Sequence, residues 1–185
     1  MFTYYPILAA APPASLIAGG EPLGPAPVYK AANVTNGLLS DLAHKIGAAR
    51  EVSFDTETTG LYPFKSDKMF AAVFGIDDTA YYIDTRDYQT PEQRVNLASF
   101  LAAVLDAPEI TLYGFNIKFD LHFVRKYVKT WTTLDPHVEC KVVDVKSLCR
   151  LENNSHMNYS LADCAEREGL QKDDTVEQYI AEHKC

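Results

Sequence analysis

Residues 51–61 read EVSFDTETTGL, a strand-like run that leads into two acids and then a Thr-Thr-Gly turn. Side chains two positions apart on a strand point the same way, so Asp55 and Glu57 face one side at the end of this strand. Two like charges that are crowded there raise the free energy unless water solvates both or a cation joins them. The pair is therefore either a solvated strand end or one half of a metal site.

A second acidic segment, YGFNIKFDLHFV at residues 113–124, favours the metal site. A helix that begins near Asn116 would place Asn116 and Asp120, four positions apart, on one face. This segment follows a predicted strand directly, as the first one does, so the two acidic features can converge at one edge of a sheet. Together with Asp55 and Glu57, Asp120 makes three carboxylates, which suit hard cations such as Mg²⁺ or Mn²⁺.

The remaining pattern predicts an α/β fold. Further strands are predicted at residues 69–76, 79–84, 110–114 and 138–145. Helices are predicted from about residue 35 to residue 49, from Pro91, near Asn116, around residues 146–151, and from Ser160 to a stop at Gly169. The first of these helices would have Leu38, Leu39, Leu42 and Ile46 on one apolar face. Thr90 and Gln93 form a capping-box pattern around Pro91, and Ser160 with Asp163 forms an acidic version of the same box. Hairpin strands come first and strand–helix alternation follows, which predicts a mixed sheet flanked by helices.

Composition is typical of one soluble globular domain. The chain has 185 residues, of which 47% are hydrophobic and 23% charged, and its formal net charge is −8. That charge argues against a general polyanion binder, which normally carries a basic face. The negative net charge is still compatible with an enzyme that binds a few nucleotides through metal ions, because the bound ions supply the positive charge. The four cysteines lack C-x-x-C spacing, so we expect reduced thiols in a cytoplasmic protein rather than a zinc site.

The two ends of the chain differ in composition. Residues 1–33 are rich in Pro, Ala and Gly and are interpreted as an N-terminal arm, and residues 34–185 as the folded domain. The first residues have no basic region ahead of their apolar run, and prolines interrupt that run, which disfavours a signal peptide. No apolar run is long enough to span a bilayer, so a membrane partner is not expected.

DTETTGL and GFNIKFDL, whose aspartates Asp55 and Asp120 are 65 positions apart, resemble the first two motifs of the DEDD 3′–5′ exonucleases. The context resembles the proofreading domain of family A DNA polymerases in particular. The stretch VVDVKSLCRLENNSHMNYSLADCAEREGL resembles the family's segment after the second motif, with Asp144 as its aspartate. The resemblance covers roughly residues 35–170. It implies a ribonuclease H-like fold and hydrolysis of the 3′-terminal phosphodiester of single-stranded DNA ends.

The resemblance also implies a set of metal ligands. Two divalent ions, Mg²⁺ or Mn²⁺, would be held by Asp55, Glu57 and Asp120. Asp55 would bind both ions, with Glu57 beside it, and Asp120 would act mainly on the second ion through water. These three residues are the expected catalytic set.

The same motifs imply substrate contacts. Leu61 matches the position at which the family wedges an apolar side chain against the terminal base. Asn116 would contact the nucleotide near the cleavage site, and Thr58 and Phe119 complete the expected substrate-binding set. Apolar wedging and stacking fit a single-stranded end, which needs little reading of base sequence.

The family has a third motif, Y-x-x-x-D, that this chain does not match clearly. Tyr159 and Asp163 have the spacing, but Asp163 is assigned to the capping box, and Tyr179 is followed four residues on by His183. We therefore expect a C-terminally truncated domain of a longer protein, in which a polymerase domain of the same chain is the partner. The piece alone would be weak or inactive.

Two other interpretations remain open at the level of sequence. A catalytically degenerate exonuclease fold could serve as a binding or scaffolding module, and divalent metal would then not stabilise it. Alternatively, the same carboxylates could serve a ribonuclease of the same superfamily. Competition between DNA and RNA ends would separate the two substrates.

Overall fold

A computed structural model of the chain describes residues 30–152, 154–155 and 158–167. Its strands are β1 (Lys30–Asn33), β2 (Glu51–Thr58), β3 (Met69–Ile76), β4 (Thr79–Asp84), β5 (Thr111–Gly114) and β6 (Lys141–Asp144). Its α-helices are α1 (Leu39–Ala49), α2 (Pro91–Leu105), α3 (Lys118–Trp131), α4 (Val145–Glu152) and α5 (Leu161–Arg167). Short 3₁₀ turns at Asn36–Leu38 and Thr85–Asp87 precede α1 and follow β4.

The described strands form one mixed sheet in the order β1-β4-β3-β2-β5-β6. β3 runs antiparallel to both of its neighbours, β2 and β4, whereas β5 is parallel to β2 and β6 is parallel to β5. β2, β5 and β6 therefore all end at the same edge of the sheet. The α/β mixed sheet flanked by helices that the sequence predicts is confirmed.

Local signals placed several element boundaries correctly. β3 and β4 have the predicted bounds, and the capping box at the start of α2 is present, with Thr90 accepting from the Gln93 N–H and Gln93 accepting from the Thr90 N–H. At α5, the N–H of Asp163 donates to Ser160 Oγ and the N–H of Ser160 donates to the Asp163 carboxylate. Each of these contacts joins residues three apart, so the pattern can be read without tertiary information.

The core lies between the sheet and its helices. Along β2, the buried side chains of Val52, Phe54 and Thr56 alternate with half-buried ones, as expected for a strand in the middle of a sheet. Helices α1, α2 and α3 cover the sheet with fully buried side chains such as Leu42, Leu101 and Phe123. The core therefore packs against β2 up to the point where its acidic end begins.

Some residues at the N-terminal side differ from the sequence interpretation. Residues 30–33, at the end of the predicted arm, form β1 and pair in parallel with β4. Leu38, predicted on the buried face of the first helix, is 44% exposed because it lies in the 3₁₀ turn before α1. The rest of the predicted arm, the predicted helix stop at Gly169 and the residues around Tyr179 lie outside the described residues.

None of the helices in the described part of the chain combines the length and the apolar character that crossing a membrane requires.

Gly114 allows β5 to approach β2 closely. A Cβ at this position would lie 2.9 Å from the carbonyl oxygen of Phe54 and 2.9 Å from Ile117 Cβ. Gly114→Ala is therefore expected to lower the free energy of unfolding by about 1–3 kcal/mol, the usual cost of overpacking. Urea denaturation measures this change. Gly47→Ala is the matched control, since nothing lies within 4 Å of its Cβ position in α1.

The control substitution has the opposite expected sign. Alanine in an exposed helix position is favoured over glycine by about 0.5–1 kcal/mol, so Gly47→Ala is expected to raise the midpoint of denaturation. Equal effects of the two substitutions would contradict the close approach at Gly114.

Candidate active site

The acidic end of β2 lies at the centre of the sheet. Asp55 pairs with Val73 and Glu57 with Ala71 of β3, and both acidic residues are half-buried. A register shift between Glu57 and Thr58 interrupts the pairing with β3 at this point. Such irregularities redirect the chain and its side chains at the end of a strand. Asp55 and Glu57 therefore share one face of β2 immediately before the strand leaves the sheet.

Asp120 lies in the first turn of α3 and is only 2% exposed. Its Oδ1 accepts two hydrogen bonds from one residue of β2, from the Thr56 N–H at 3.1 Å and from the Thr56 hydroxyl at 2.6 Å. Two donors on one oxygen fix the orientation of the carboxyl group. α3 is thereby attached to the acidic end of β2.

Burial and charge act together on Asp120. Removal from water, followed by the negative charge of Asp55, raises the pKa of Asp120 to about 7, against the opposing effect of the Thr56 hydrogen bonds. The dependence on Asp55 means that the two carboxylates interact electrostatically although they come from different elements. A cation between them would offset this repulsion.

Thr56 was not identified from the sequence as a site residue. Its side chain points to the opposite face of β2 from Asp55 and Glu57, because neighbours on a strand alternate. Thr56 is 7% exposed, and a buried hydroxyl requires a partner, which here is the Asp120 carboxylate. The sequence did contain one indication that Thr56 binds another polar group, namely a polar residue at a buried position of a predicted strand.

Asn116 adopts a conformation that the sequence analysis did not predict. Its φ is 63°, in the left-handed region, and α3 begins only at Lys118. The predicted helix face shared by Asn116 and Asp120 is therefore wrong. The cause is tertiary, since the Asn116 N–H donates to Asp144 Oδ1 at 2.9 Å, and the same oxygen accepts from the Lys146 N–H at 3.0 Å. Asp144 thus joins the turn after β5 to the start of α4.

The loop between β2 and β3, residues 59–68, lies directly after the acidic strand end and is called the β2–β3 loop below. Its conformation is held by Asp67, whose Oδ2 accepts from the Tyr62 N–H at 2.9 Å. Lys126 of α3 donates to the carbonyl oxygens of Lys65 and Asp67, both at 2.6 Å. These contacts position a loop whose apolar side chains face solvent.

The exposed apolar side chains of the β2–β3 loop include the predicted wedge residue. Leu61 is 72% exposed, Tyr62 57% and Phe64 83%. Phe64 makes an edge contact with His122 of α3, with ring centroids 5.0 Å apart. Thr58, the last residue of β2, donates its hydroxyl proton to the Gly60 carbonyl at 2.9 Å. Leu61 therefore lies close in sequence to Glu57 and is available for contact.

The family of the chain follows from a sequence comparison. A model of the 3′–5′ exonuclease family matches residues 33–177, which include both acidic segments. The chain belongs to the 3′–5′ exonuclease family. No curated protein sequence shows a significant match to it.

Solved structures with the fold of this exonuclease domain include three nucleases. The EXO domain of Aedes aegypti Nibbler is 15% identical, with a TM-score of 0.57 over 86% of this chain and 77% of that one. Trypanosoma brucei RNase D, solved in complex with RNA U12, is 15% identical, with a TM-score of 0.60 over 82% and 51%. Brucella melitensis NrnC, solved bound to pGG, is 21% identical, with a TM-score of 0.53 over 78% and 62%.

These likenesses establish the fold of the exonuclease domain. The predicted ribonuclease H-like architecture is confirmed, since the mixed six-stranded sheet and its flanking helices match these structures. The chain spans about half the length of the RNase D chain and less than two thirds of the NrnC chain.

Exonucleases of this family generally use divalent metal ions. Within the described ranges, no group of three or more His, Cys, Asp or Glu side chains is placed to hold a metal ion together. The carboxylate oxygens of Asp55, Glu57 and Asp120 nevertheless fit a hard divalent cation chemically, and the repulsion between Asp55 and Asp120 is what a cation would relieve. The three-residue ligand set of the exonuclease domain stays a prediction.

Phe119, the last of the predicted substrate contacts, lies on α3 next to Asp120. Its half-buried ring packs against Phe123, with centroids 5.0 Å apart, at the edge of the core of the exonuclease domain. One side of the ring is therefore fixed by packing. The assignments of Thr58, Leu61, Asn116 and Phe119 to substrate binding stay predictions.

Tyr159 and Asp163, which have the spacing of the third motif, both make other contacts. The Asp163 carboxylate accepts from both the N–H and the hydroxyl of Ser160 at the start of α5. Tyr159 lies between two arginines, with the guanidinium carbons of Arg150 and Arg167 5.4 and 5.2 Å from its ring centre. The assignment of Asp163 to a capping box in the exonuclease domain is therefore confirmed.

Proposed function

We propose that this exonuclease domain hydrolyses the 3′-terminal phosphodiester of single-stranded DNA, with Asp55, Glu57 and Asp120 as its catalytic residues and Mg²⁺ or Mn²⁺ as cofactor. One observation carries the proposal. Asp120 is buried and held by Thr56, under the influence of the Asp55 charge, at the edge where β2 and β5 end. A fold without catalytic use for these acids would gain stability from an apolar residue in place of Asp120.

The reaction determines what each carboxylate has to do. A water oxygen forms a bond to phosphorus while the bond from phosphorus to the 3′ oxygen of the preceding nucleotide breaks, which releases a 5′-mononucleotide. Two divalent ions supply the positive charge that stabilises the transition state and make water a better nucleophile. Asp55 and Glu57 share a face and would hold the ions, and Asp120, whose orientation is fixed by Thr56, would act on the second ion through water.

Substrate contacts would come from both sides of the carboxylates. Leu61, on the β2–β3 loop, would wedge against the terminal base, and Thr58 would lie beside the same nucleotide. Asn116, whose side chain is exposed in the turn before α3, would contact the nucleotide near the scissile bond. Phe119 would offer an aromatic face from the first turn of α3. Contacts of this kind favour an unpaired end over a duplex end.

The biological setting that we propose is proofreading during DNA replication in the cytoplasm. The two acidic motifs and the segment around Asp144 resemble those of family A DNA polymerases, and the family match includes all three. A polymerase domain of the same longer chain would deliver the 3′ end and would be the partner of this domain.

A second candidate substrate is single-stranded RNA. Trypanosoma brucei RNase D, whose fold is similar, was solved in complex with an RNA, and the carboxylate chemistry is the same for both nucleic acids. The choice between DNA and RNA depends on contacts to the sugar, since the 2′-hydroxyl distinguishes the two.

An end-labelled substrate tests the reaction and its direction. The chain, in excess over a 5′-labelled single-stranded DNA, is expected to shorten it from the 3′ end one nucleotide at a time with Mn²⁺ or Mg²⁺, and not with EDTA. A DNA with a 3′-terminal phosphorothioate is the control and is expected to react more slowly. A matching RNA in the same mixture is expected to be the poorer substrate.

Internal cleavage, or shortening that EDTA does not stop, would contradict the proposed reaction. A chain that shortens neither substrate and gains no thermal stability from Mn²⁺ would favour the binding-module interpretation, since a ligand stabilises only a protein that binds it.

A further inference from the structure

A cavity of about 360 Å³ lies beside α3. α2, α3, the start of β3, the turn after β4 and the end of the β2–β3 loop contribute its lining, and none of the predicted site residues does. Its volume is at the small end of the range for small-molecule sites, about 300–1,000 Å³. The space therefore suits one small ligand rather than a folded partner.

The cavity is positively charged. Its lining includes no Asp or Glu and four cationic side chains, Lys68, Arg86, Arg94 and Lys126. One of the four is neutralised, since Arg86 Nη2 lies 2.6 Å from Asp84 Oδ2. The other three form no ion pair with any carboxylate of the described residues. Such a concentration of positive charge is unexpected in a chain of net charge −8 and attracts anions.

Two of these unpaired cations are held in place by neutral groups. Arg94 Nε donates to the Tyr88 carbonyl at 2.8 Å, and the Lys126 ammonium donates to the two loop carbonyls described above. Carbonyl oxygens orient a cation without cancelling its charge. Arg94 and Lys126 are therefore positioned to interact with an anion in the cavity. Because the fold already holds their side chains, binding an anion would cost them little further conformational entropy.

Aromatic side chains complete the lining. The Arg94 guanidinium carbon lies 4.5 Å from the ring centre of Trp131. The hydroxyl of Tyr127 is buried and, in the part of the chain that the structure describes, has no hydrogen-bond partner. Burial raises the pKa of Tyr127 to about 12, so the hydroxyl keeps its proton at neutral pH. Tyr127 lines the cavity, but its hydroxyl is enclosed by protein atoms, so the side chain contributes an aromatic wall.

We propose that this cavity is a second site that binds the phosphate group of a nucleotide, separate from the carboxylates at the end of β2. Phosphate oxygens match the unpaired cations, because guanidinium and ammonium groups form charge-assisted hydrogen bonds with phosphate. The choice of a nucleotide among phosphate esters rests on the proposed function, but the preference for phosphate does not. The nucleotide is either a free mononucleotide or one unit of a longer bound strand.

Trp131 makes binding directly measurable, because it is the only tryptophan of the chain. Titration of the full chain with thymidine 5′-monophosphate in EDTA is expected to change Trp131 fluorescence to saturation. The double variant Lys68→Gln/Arg94→Gln is expected to bind at least tenfold more weakly, as calorimetric titration measures without relying on fluorescence. Lys45→Gln, an exposed lysine of α1, is the matched control and is expected to bind as the wild type does.

Further binding measurements identify which part of the nucleotide the cavity recognises and whether the nucleotide is free or part of a strand. Inorganic phosphate is expected to compete with the nucleotide, and thymidine without phosphate is expected not to bind. An eight-nucleotide oligothymidylate that binds more tightly than the mononucleotide, and loses this advantage in the double variant, indicates a unit of a bound strand. Equal affinities indicate a free mononucleotide.

The outcomes separate this site from the proposed reaction. Binding that survives EDTA and Asp120→Asn but fails in the double variant supports the cavity site, whether or not the chain hydrolyses DNA. Binding that Asp120→Asn abolishes, binding that the double variant retains, or no binding of either nucleotide would overturn it. Circular dichroism of each variant excludes loss through unfolding.

Discussion

Asp55→Asn is expected to lower the rate of 3′-terminal hydrolysis at least about 10³-fold, because we propose that Asp55 holds both metal ions, and such a ligand contributes several kcal/mol of transition-state stabilisation. Asparagine keeps the size of the side chain and removes its charge. Asp55 is half-buried and pairs with Val73 through its backbone, so the sheet is expected to persist. Single-turnover hydrolysis of 5′-labelled single-stranded DNA with Mn²⁺ measures the effect.

An exposed aspartate is the matched control for this charge change. Asp106→Asn, at the end of α2, removes the same charge at an exposed position outside both acidic segments and is expected to leave the rate within about twofold. If Asp55→Asn retained more than a tenth of the wild-type rate while Asp106→Asn did the same, Asp55 would not be a catalytic residue.

The second large effect concerns stability and pH. The pKa of Asp120 rises from an ordinary 3.8 to about 7 in the folded chain, because the residue is buried and Asp55 is negatively charged. The folded state therefore binds the proton more tightly than the unfolded state does. Its stabilising contribution is complete below about pH 4 and is lost as the pH rises through about 7, a change of up to about 4 kcal/mol.

Comparison with Asp120→Asn isolates this contribution. Asparagine cannot titrate, and its oxygen can still accept the two hydrogen bonds from Thr56. In EDTA, the free energy of unfolding of the wild type relative to this variant is expected to fall between pH 4 and pH 7.5, as urea denaturation at each pH measures. If the free energies of unfolding of the two proteins changed in parallel with pH, Asp120 would have the same pKa in the folded and the unfolded state. That result would contradict the prediction. Mn²⁺ at pH 7.5 is expected to stabilise the wild type more than the variant.

Much of the fold could be predicted because its signals are local. The capping box of Thr90 and Gln93 and that of Ser160 and Asp163 join residues three apart, and both are present as expected. The hairpin of β3 and β4 has the predicted bounds, since apolar runs and a turn at Asp77 and Asp78 delimit it. Such features are determined by hydrogen bonds and periodicity within one segment.

Positions that depend on distant partners were predicted less well. Asn116 was expected to begin α3, but the carboxylate of Asp144, 28 residues away along the chain, accepts its N–H and holds it in a left-handed conformation. Leu38 was expected in the core but lies exposed in a 3₁₀ turn. β1 was assigned to an arm, because it follows a stretch rich in Pro, Ala and Gly, and only its pairing with β4 makes it a strand.

The sequence by itself determined the class of the protein and its two acidic segments, because residue type and spacing along strands carry that information. Asp55, Glu57 and Asp120 stay its predicted catalytic residues. Only the tertiary structure decided how the segments meet, with Asp120 anchored on Thr56 of the opposite strand face and Asp144 used to hold a turn. Tertiary structure alone also brought Lys68, Arg94, Lys126 and Trp131 together around one cavity. The physical reason is that burial, hydrogen bonding and electrostatic interaction depend on distances in space, which segments far apart in sequence acquire only when they pack.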